Sequence, residues 1–225
     1  MNYVFIGDVH SQYSKFKAAV DWVQENIQDY HIIQGGDLFD SRCDESNSAG
    51  VYELVRSLGD NITVINSNHL YKMHRVMTNP GLEYRECLQR TLDDFANYDK
   101  NELIEWLESL PMGVVVRSND KEYRICHAFW NNKLYVPNEF EGIYKVFVVS
   151  SKAKGQMLYG LKKRGEDNES VRWWEEDREQ SFVRVAFHYH TISIGENHLV
   201  LDGSCGDDGG VLPIYVVNSG QLLTF

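Results

Sequence analysis

An acid and an imidazole stand two residues apart in Gly7-Asp8-Val9-His10, directly after an apolar run that begins at Tyr3. Four similar endings follow: Gly35-Gly36-Asp37-Leu38-Phe39-Asp40, Asn66-Ser67-Asn68-His69, Ile125-Cys126-His127 and Phe187-His188-Tyr189-His190-Thr191. Oxygen and nitrogen donors delivered repeatedly from strand ends suit a metal centre, because its ligands must converge from separate rigid elements. The pattern predicts a two-metal hydrolytic centre. A lone His10 or His127 would more often be a satisfied polar group near a core; the company of the other endings makes the ligand reading the stronger one.

The elements around these residues alternate. After His10, Ser11 or Ser14 can cap a helix whose apolar positions Phe16, Val20 and Val23 recur at helical spacing. His31-Ile32-Ile33 reads as a short strand ending at Gly35-Gly36, 51–58 as a helix and 61–65 as a third strand. Strand–helix–strand order with short connections implies parallel pairing, and open parallel sheets gather ligands at the carboxyl ends of their strands. Asp8, His10, Asp37 and Asn68 all fall there. Two more helices are expected at 82–97 and 101–110, then a hairpin around Ser118-Asn119-Asp120 that delivers His127. Strands at 183–187, 199–201 and 212–217 are expected to form a second sheet. Residues 131–180 carry no regular pattern and are read as an insert over the site, with Trp173-Trp174 as packing and Lys162-Lys163-Arg164 as a solvated loop. The expected fold is α/β (α+β by some schemes), a two-sheet mixed β-sandwich flanked by helices, in a single domain spanning 1–225.

Composition sets the outer bounds. The 225 residues, 43% hydrophobic and 12% aromatic, suit one folded domain. No run is long enough to span a membrane, and the N-terminus lacks a signal-peptide pattern. Four cysteines without CxxC spacing then point to reduced thiols and a cytoplasmic protein. A net charge of −11 argues against non-specific nucleic-acid binding, which rests on Lys and Arg neutralising phosphates. It leaves room for a nucleotide or RNA-end substrate, since bound divalent cations reverse the field locally.

In order and spacing, Gly7-Asp8-Val9-His10, Gly36-Asp37-Leu38-Phe39-Asp40, Asn68-His69, His127 and His190-Thr191 resemble the calcineurin-like metallophosphoesterase superfamily, over nearly the whole chain. The phosphoprotein-phosphatase-type branch is the most similar, within it the phosphatase module of bacterial polynucleotide kinase-phosphatases. That likeness rests on Asn68-His69-Leu70-Tyr71-Lys72-Met73-His74-Arg75, Cys126-His127-Ala128, Leu158-Tyr159-Gly160, and Leu201-Asp202-Gly203 with Gly209-Gly210. The resemblance implies that Asp8 and His10 bind the first metal and that Asp37 bridges both. It makes Asn68, His127 and His190 the remaining ligands of the second metal, His69 the general acid and Asp40 the residue that orients it. Such a metal pair, roughly 3.5–4 Å apart, supplies a nucleophilic hydroxide at neutral pH and neutralises phosphoryl oxygens. Mixed carboxylate, amide and imidazole ligands suit Mn first, with Fe or Zn as alternatives, and suit Ca poorly.

Three departures from the family pattern stand out. Ser67 replaces the glycine before Asn68, and Leu70 the acid after His69. Ser41 replaces the arginine next to Asp40, so Arg42, Lys72 and Arg75 become rival phosphate ligands. The fifth ending also reads two ways. Either His190-Thr191 is the family's Gly-His-Thr ending, or His188 and His190 are the paired histidines of the nuclease-like branch, His188 on metal two and His190 on metal one. The expected activity is phosphomonoester hydrolysis on a phosphoprotein, a nucleotide or an RNA end. The alternatives are phosphodiester cleavage of cyclic or dinucleotide substrates, and a catalytically weak module that binds a phosphorylated ligand.

Overall fold

Alternation along the first strand decides the layering. In β1 (Asn2–Ile6) Val4 and Ile6 enter one hydrophobic cluster, while Tyr3 and Phe5 enter another on the opposite face. Both faces are therefore covered, as expected of a strand inside a parallel sheet. The computed structural model describes residues 1–40, 46–147, 149–162, 171–176 and 181–225. The order continues through α1 (Tyr13–Asn26), β2 (Tyr30–Gln34), α2 (Ser48–Leu58), β3 (Ile62–Val64), α3 (Asn68–Thr78), α4 (Glu86–Asp94) and α5 (Lys100–Ser109). There follow β4 (Gly113–Ser118), β5 (Lys121–Cys126), β6 (Ile143–Val146), α6 (Ser151–Tyr159), β7 (Val183–Ala186), β8 (Ile192–Ile194), β9 (His198–Leu201), β10 (Pro213–Val216) and β11 (Gln221–Thr224).

The first sheet has the order β11-β10-β1-β2-β3 and the second β6-β4-β5-β7-β9-β8. β1, β2 and β3 run parallel, as do β5, β7 and β9. Phe5 and Ile33 of the first sheet pack between the layers against Val114, Ile125, Val185 and Leu199 of the second. The outer face of the first sheet carries Val4, Ile6 and Ile32 against Phe16, Val20, Val51, Leu70, Leu103 and Leu107 of the helices. Outside the second sheet, Val115 and Cys126 pack on Trp130, Met157 and Leu158. The result is the expected mixed sandwich with helices on its outer faces.

Three local expectations change, and one segment without an assignment proves helical. The strand expected within 212–217 joins the first sheet, with Phe5 opposite Tyr215 in an antiparallel register. The free edge of β1 takes it, and Leu212 and Ile214 then complete the helical core. Neither Ser11 nor Ser14 caps α1, whose N-cap is Gln12; Ser11 instead shares a 3.0 Å hydrogen bond with Ser48. The segment Asn68–Thr78 is a full helix, with Ser67 as N-cap. Within 131–180, β6 extends the second sheet and α6 closes its outer face, so the described part is built into the sandwich.

Candidate metal centre and active site

Every expected ending does fall at the carboxyl end of its strand, and residues of four of the five line one cavity, while His127 is buried behind His188. Asp8, His10, Asp37, Asp40, His69, His188 and His190 line the cavity, together with Asp202, Ser204, Gly206 and Asp207. Five of the lining residues, His10, Asp37, Asp40, His190 and Ser204, hold a positive φ. That left-handed backbone is unfavourable for residues with a side chain and gathers where a site over-determines its geometry. Tight packing behind the cavity makes this possible. A Cβ on Gly35 would lie 2.2 Å from Cγ of Phe187, so only glycine lets the end of β2 approach the second sheet.

Asp37 is the centre of the arrangement. It is 2% exposed, its backbone N–H donates to Ser67 Oγ at 2.8 Å, and its Oδ1 accepts from the N–H of His69 at 3.2 Å. The Ser67 hydroxyl also accepts from the N–H of Leu70 at 3.3 Å. The serine that departs from the family pattern thus caps α3 and ties it to the Asp37 loop. Leu70 faces the helical core, where it is 1% exposed.

Around Asp37 Oδ2 the imidazoles are oriented by what their other nitrogen does. His127 donates from Nδ1 to the Gly35 carbonyl at 2.9 Å, leaving Nε2 as a lone pair 3.4 Å from Asp37 Oδ2. His10 donates from Nδ1 to the Asp40 carbonyl at 3.1 Å, and its Nε2 lies 3.8 Å from the same oxygen. A carbonyl that fixes Nδ1–H leaves Nε2 ready for a metal. His188 presents Nδ1 3.0 Å from His127 Nε2, and burial pushes its pKa down to about 3. Two groups of donors with ligand atoms within 4.8 Å of one another result, Asp37–His127–His188 and Asp8–His10–Asp37, and Asp37 belongs to both.

Divalent cations fit these donors. Asp8 Oδ1 and Asn68 Oδ1 are buried without a hydrogen-bond partner among the described residues, a costly arrangement that a cation would relieve. Burial, with the Asp37 and Asp202 carboxylates nearby, pushes the Asp8 carboxyl well above the usual carboxylate range. Asp37 is also disfavoured by burial, yet the neighbouring imidazoles of His127 and His69 hold it well below that range.

His190, the first expectation for the second group, stands apart from it. The chain leaves β7 after Ala186, and His190 turns into left-handed backbone with its N–H on Asp202 Oδ2 at 2.5 Å. Its Nδ1 lies 3.1 Å from Ser204 Oγ at the cavity wall. The ring that meets Asp37 and His127 is His188.

On the other side, His69 Nδ1 lies 2.5 Å from Asp40 Oδ2, with Lys72 Nζ 3.5 Å from the same oxygen. Burial alone would lower the His69 pKa, but the Asp37 and Asp40 carboxylates outweigh it and raise it. The backbone N–H of Asp40 donates to Thr91 Oγ1 at 3.1 Å, anchoring the loop on α4. Lys72 and Arg75 do not line the cavity, and Arg42 lies outside the described residues, as do Lys163 and Arg164. Trp173 is buried and packs on Trp174, which meets Tyr189, so the pair serves packing.

Asp202, Ser204, Gly206 and Asp207 are lining residues absent from the expected set. Asp202 had a readable signal, an acid directly after the apolar strand Leu199–Leu201, the same signature as the other endings. Its carboxylate holds the backbone N–H groups of His190 and Ser204.

A two-sheet sandwich whose strand ends bring carboxylates and imidazoles around one aspartate is an arrangement the chain shares with a known family. The chain belongs to the calcineurin-like phosphoesterase family, which it matches over residues 1–211. Curated relatives include the symmetrical bis(5'-nucleosyl)-tetraphosphatase of Vibrio parahaemolyticus serotype O3:K6, 26% identical over 123 residues (55% of this chain, 42% of that protein). The enzyme of the same name from Cronobacter sakazakii is 29% identical over 128 residues (57% and 43%). The chain thus spans less than half the length of either relative. Among solved structures, one provisionally assigned as a diadenosine tetraphosphatase superposes with a TM-score of 0.68 at 17% identity, covering 100% of this chain and 92% of the other. A Saccharomyces cerevisiae protein serine/threonine phosphatase gives 0.53 at 14% identity, covering 100% and 79%. Both likenesses are of fold. No helix among the described residues is long and apolar enough to cross a membrane.

Proposed function

We propose that the chain is a phosphomonoesterase using two divalent cations bridged by Asp37. Asp8 and His10 complete the first set of ligands, and Asn68, His127 and His188 the second. The observation that carries this reading is the approach of His127 Nε2 and His10 Nε2 to one carboxylate oxygen, at 3.4 and 3.8 Å. The longer separation exceeds a hydrogen bond, and both suit donors that share a cation through bonds of about 2.0–2.2 Å. Bound cations would neutralise the phosphoryl oxygens and acidify a water to make it a nucleophile. The protein's own part is orientation and proton supply. Asp40 holds the His69 ring by Nδ1, so that Nε2 is the atom that hands a proton to the leaving alkoxide. Lys72 steadies Asp40, and Arg42 and Arg75 are the further candidates for contact with substrate phosphate.

Manganese is the first choice of metal for this mixed donor set, with iron or zinc as alternatives. The cytoplasm is the proposed location, the substrate a phosphorylated protein, nucleotide or RNA end. Residues 1–225 are taken as one domain, with about 131–180 as an insert beside the active site. Cleavage of dinucleotide substrates is a second reading, favoured by the name of the curated relatives.

The protein stripped with chelator and reloaded with manganese is expected to hydrolyse p-nitrophenyl phosphate. Its kcat/KM should exceed that for bis(p-nitrophenyl) phosphate at least tenfold, about 1.4 kcal/mol in barrier. A preference for the diester would favour the second reading, and undiminished activity without metal would overturn both.

The two histidines of the fifth ending separate in the same assay. His188→Ala is expected to bind one manganese fewer per chain, while His190→Ala keeps the full complement. Metal content after gel filtration reads this directly, and loss of a manganese from the His190 variant alone would restore the first expectation.

A further inference from the structure

One flank of the cavity differs in character from the rest. Asp202 and Asp207 make the wall beside His190 acidic, in a chain of net charge −11. Beyond the lining residues, α3 leads away from His69 and α6 ends against Tyr189, the neighbour of His188, and the surface of these two helices is aromatic and cationic. Lys154 Nζ sits 3.8 Å from the centroid of the Tyr71 ring. Tyr71 rests half-buried on the cluster of Met112, Trp130, Met157 and Leu158. Arg75 is exposed one helical turn after Tyr71 and on the same face of α3.

Tyr159, the last residue of α6, leaves 39% of its surface open. Its position is fixed from below. Gly160 holds a φ of +75°, and a Cβ there would lie 2.4 Å from the hydroxyl of Tyr189, the neighbour of His188. Burial raises the pKa of Tyr159; the Tyr71 ring and the Asp37 carboxylate add to this, and Arg75 opposes it. The end of α6 is packed against the segment that carries His188, which sets Tyr159 beside the site.

We infer that Tyr71, Arg75, Lys154 and Tyr159 form the substrate-selecting shelf of the site, and that its substrate is a nucleotide. The base stacks on the open ring of Tyr159, Tyr71 holds Lys154 in place across its ring, and a phosphate that does not react meets Arg75 and Lys154. This rests on the phosphoesterase reading of the cavity next to it. Flat rings with adjacent cations match a ligand that alternates base and phosphate, and one base–aromatic stack contributes about 1–3 kcal/mol. Arginine adds charge-assisted hydrogen bonds to phosphate oxygens. A phosphopeptide draws its affinity differently, from main-chain pairing along a groove or sheet edge, whereas this shelf consists of side chains on two helices.

The test is calorimetric binding to the manganese-loaded protein and to its Tyr159→Leu and Arg75→Ala variants. The probes are a methylene-bridged nucleoside diphosphate, inorganic phosphate and a phosphoserine peptide. Both positions are exposed, where substitutions usually change stability by less than about 0.5 kcal/mol. The nucleotide is expected to bind wild type more tightly than phosphate does. Each variant should weaken nucleotide binding roughly fivefold or more, the lower end of one lost stack, while Tyr159→Leu moves phosphate binding less than twofold. Equal weakening for nucleotide and phosphate in Tyr159→Leu, no weakening in either variant, or a loss confined to the phosphopeptide overturns the inference. Turnover of p-nitrophenyl phosphate by wild type is measured in parallel. If that is absent the phosphoesterase reading fails; if it is present with unselective binding, the shelf alone fails.

Discussion

Asp37→Asn is expected to lower kcat/KM for a phosphomonoester by at least about 10³-fold, because metals supply several kcal/mol of transition-state stabilisation and each 1.4 kcal/mol is a factor of ten. The substitution is nearly isosteric. The hydrogen bond from the Asp37 backbone to Ser67 does not involve the carboxylate, and an amide oxygen can still accept from the N–H of His69. What changes is Oδ2, the point to which the donors of both groups converge. An amide nitrogen there would carry no charge and would aim hydrogens at the sites meant for cations. The variant should therefore fold normally by circular dichroism and yet lose metal, measurable as manganese per chain after gel filtration. The same change at Asp40, which belongs to neither group, should leave the metal content intact. A folded Asp37→Asn protein that kept two metals and a tenth of its activity would remove Asp37 from the bridging role.

Much of this centre was legible because strand-end chemistry is local. The apolar runs before Asp8 and Asp37 specify strands, and parallel pairing carries their carboxyl ends to one side of a sheet. Sheet membership is less local. Pro213–Val216 has an apolar pattern that serves either layer, and the free edge of β1 recruits it, an outcome that depends on a partner some 200 positions away. The choice between the two histidines of the fifth ending was not legible for a related reason. Period-two alternation gives His188 and His190 the same face only while the strand continues. Here it ends at Ala186, and His190 at φ +48° follows a turn. Ser67 looks from sequence like a lost glycine, and only its two accepted hydrogen bonds give it a purpose. Lys154 and Tyr71 lie far apart in sequence and meet because α6 packs outside the second sheet. Nothing in the pattern of 131–180 announces a helix at Ser151–Tyr159.

His69→Ala should divide substrates by leaving group. A general acid contributes about 10²–10⁴-fold when the departing oxygen needs a proton, so kcat for an alkyl phosphate is expected to fall by that amount. The p-nitrophenolate ion leaves readily without one, and kcat for p-nitrophenyl phosphate should fall much less. Asp40→Asn adds a test through pH. Burial disfavours the protonated His69 ring, and the Asp37 and Asp40 carboxylates together overcome that and raise its pKa. With cations engaged at Asp37, the 2.5 Å contact to Asp40 becomes the chief support of the charged ring, since Lys72 opposes it. Leu70, turned into the core, brings no second carboxylate. An acid must be protonated to act, so the rate on an alkyl phosphate falls as pH rises through the His69 pKa. Removing the Asp40 charge lowers that pKa and should move the alkaline fall to lower pH, at unchanged metal content. If His69→Ala instead slowed both substrates equally, or Asp40→Asn left the alkaline limb where it was, His69 would be a positioning residue rather than the proton donor.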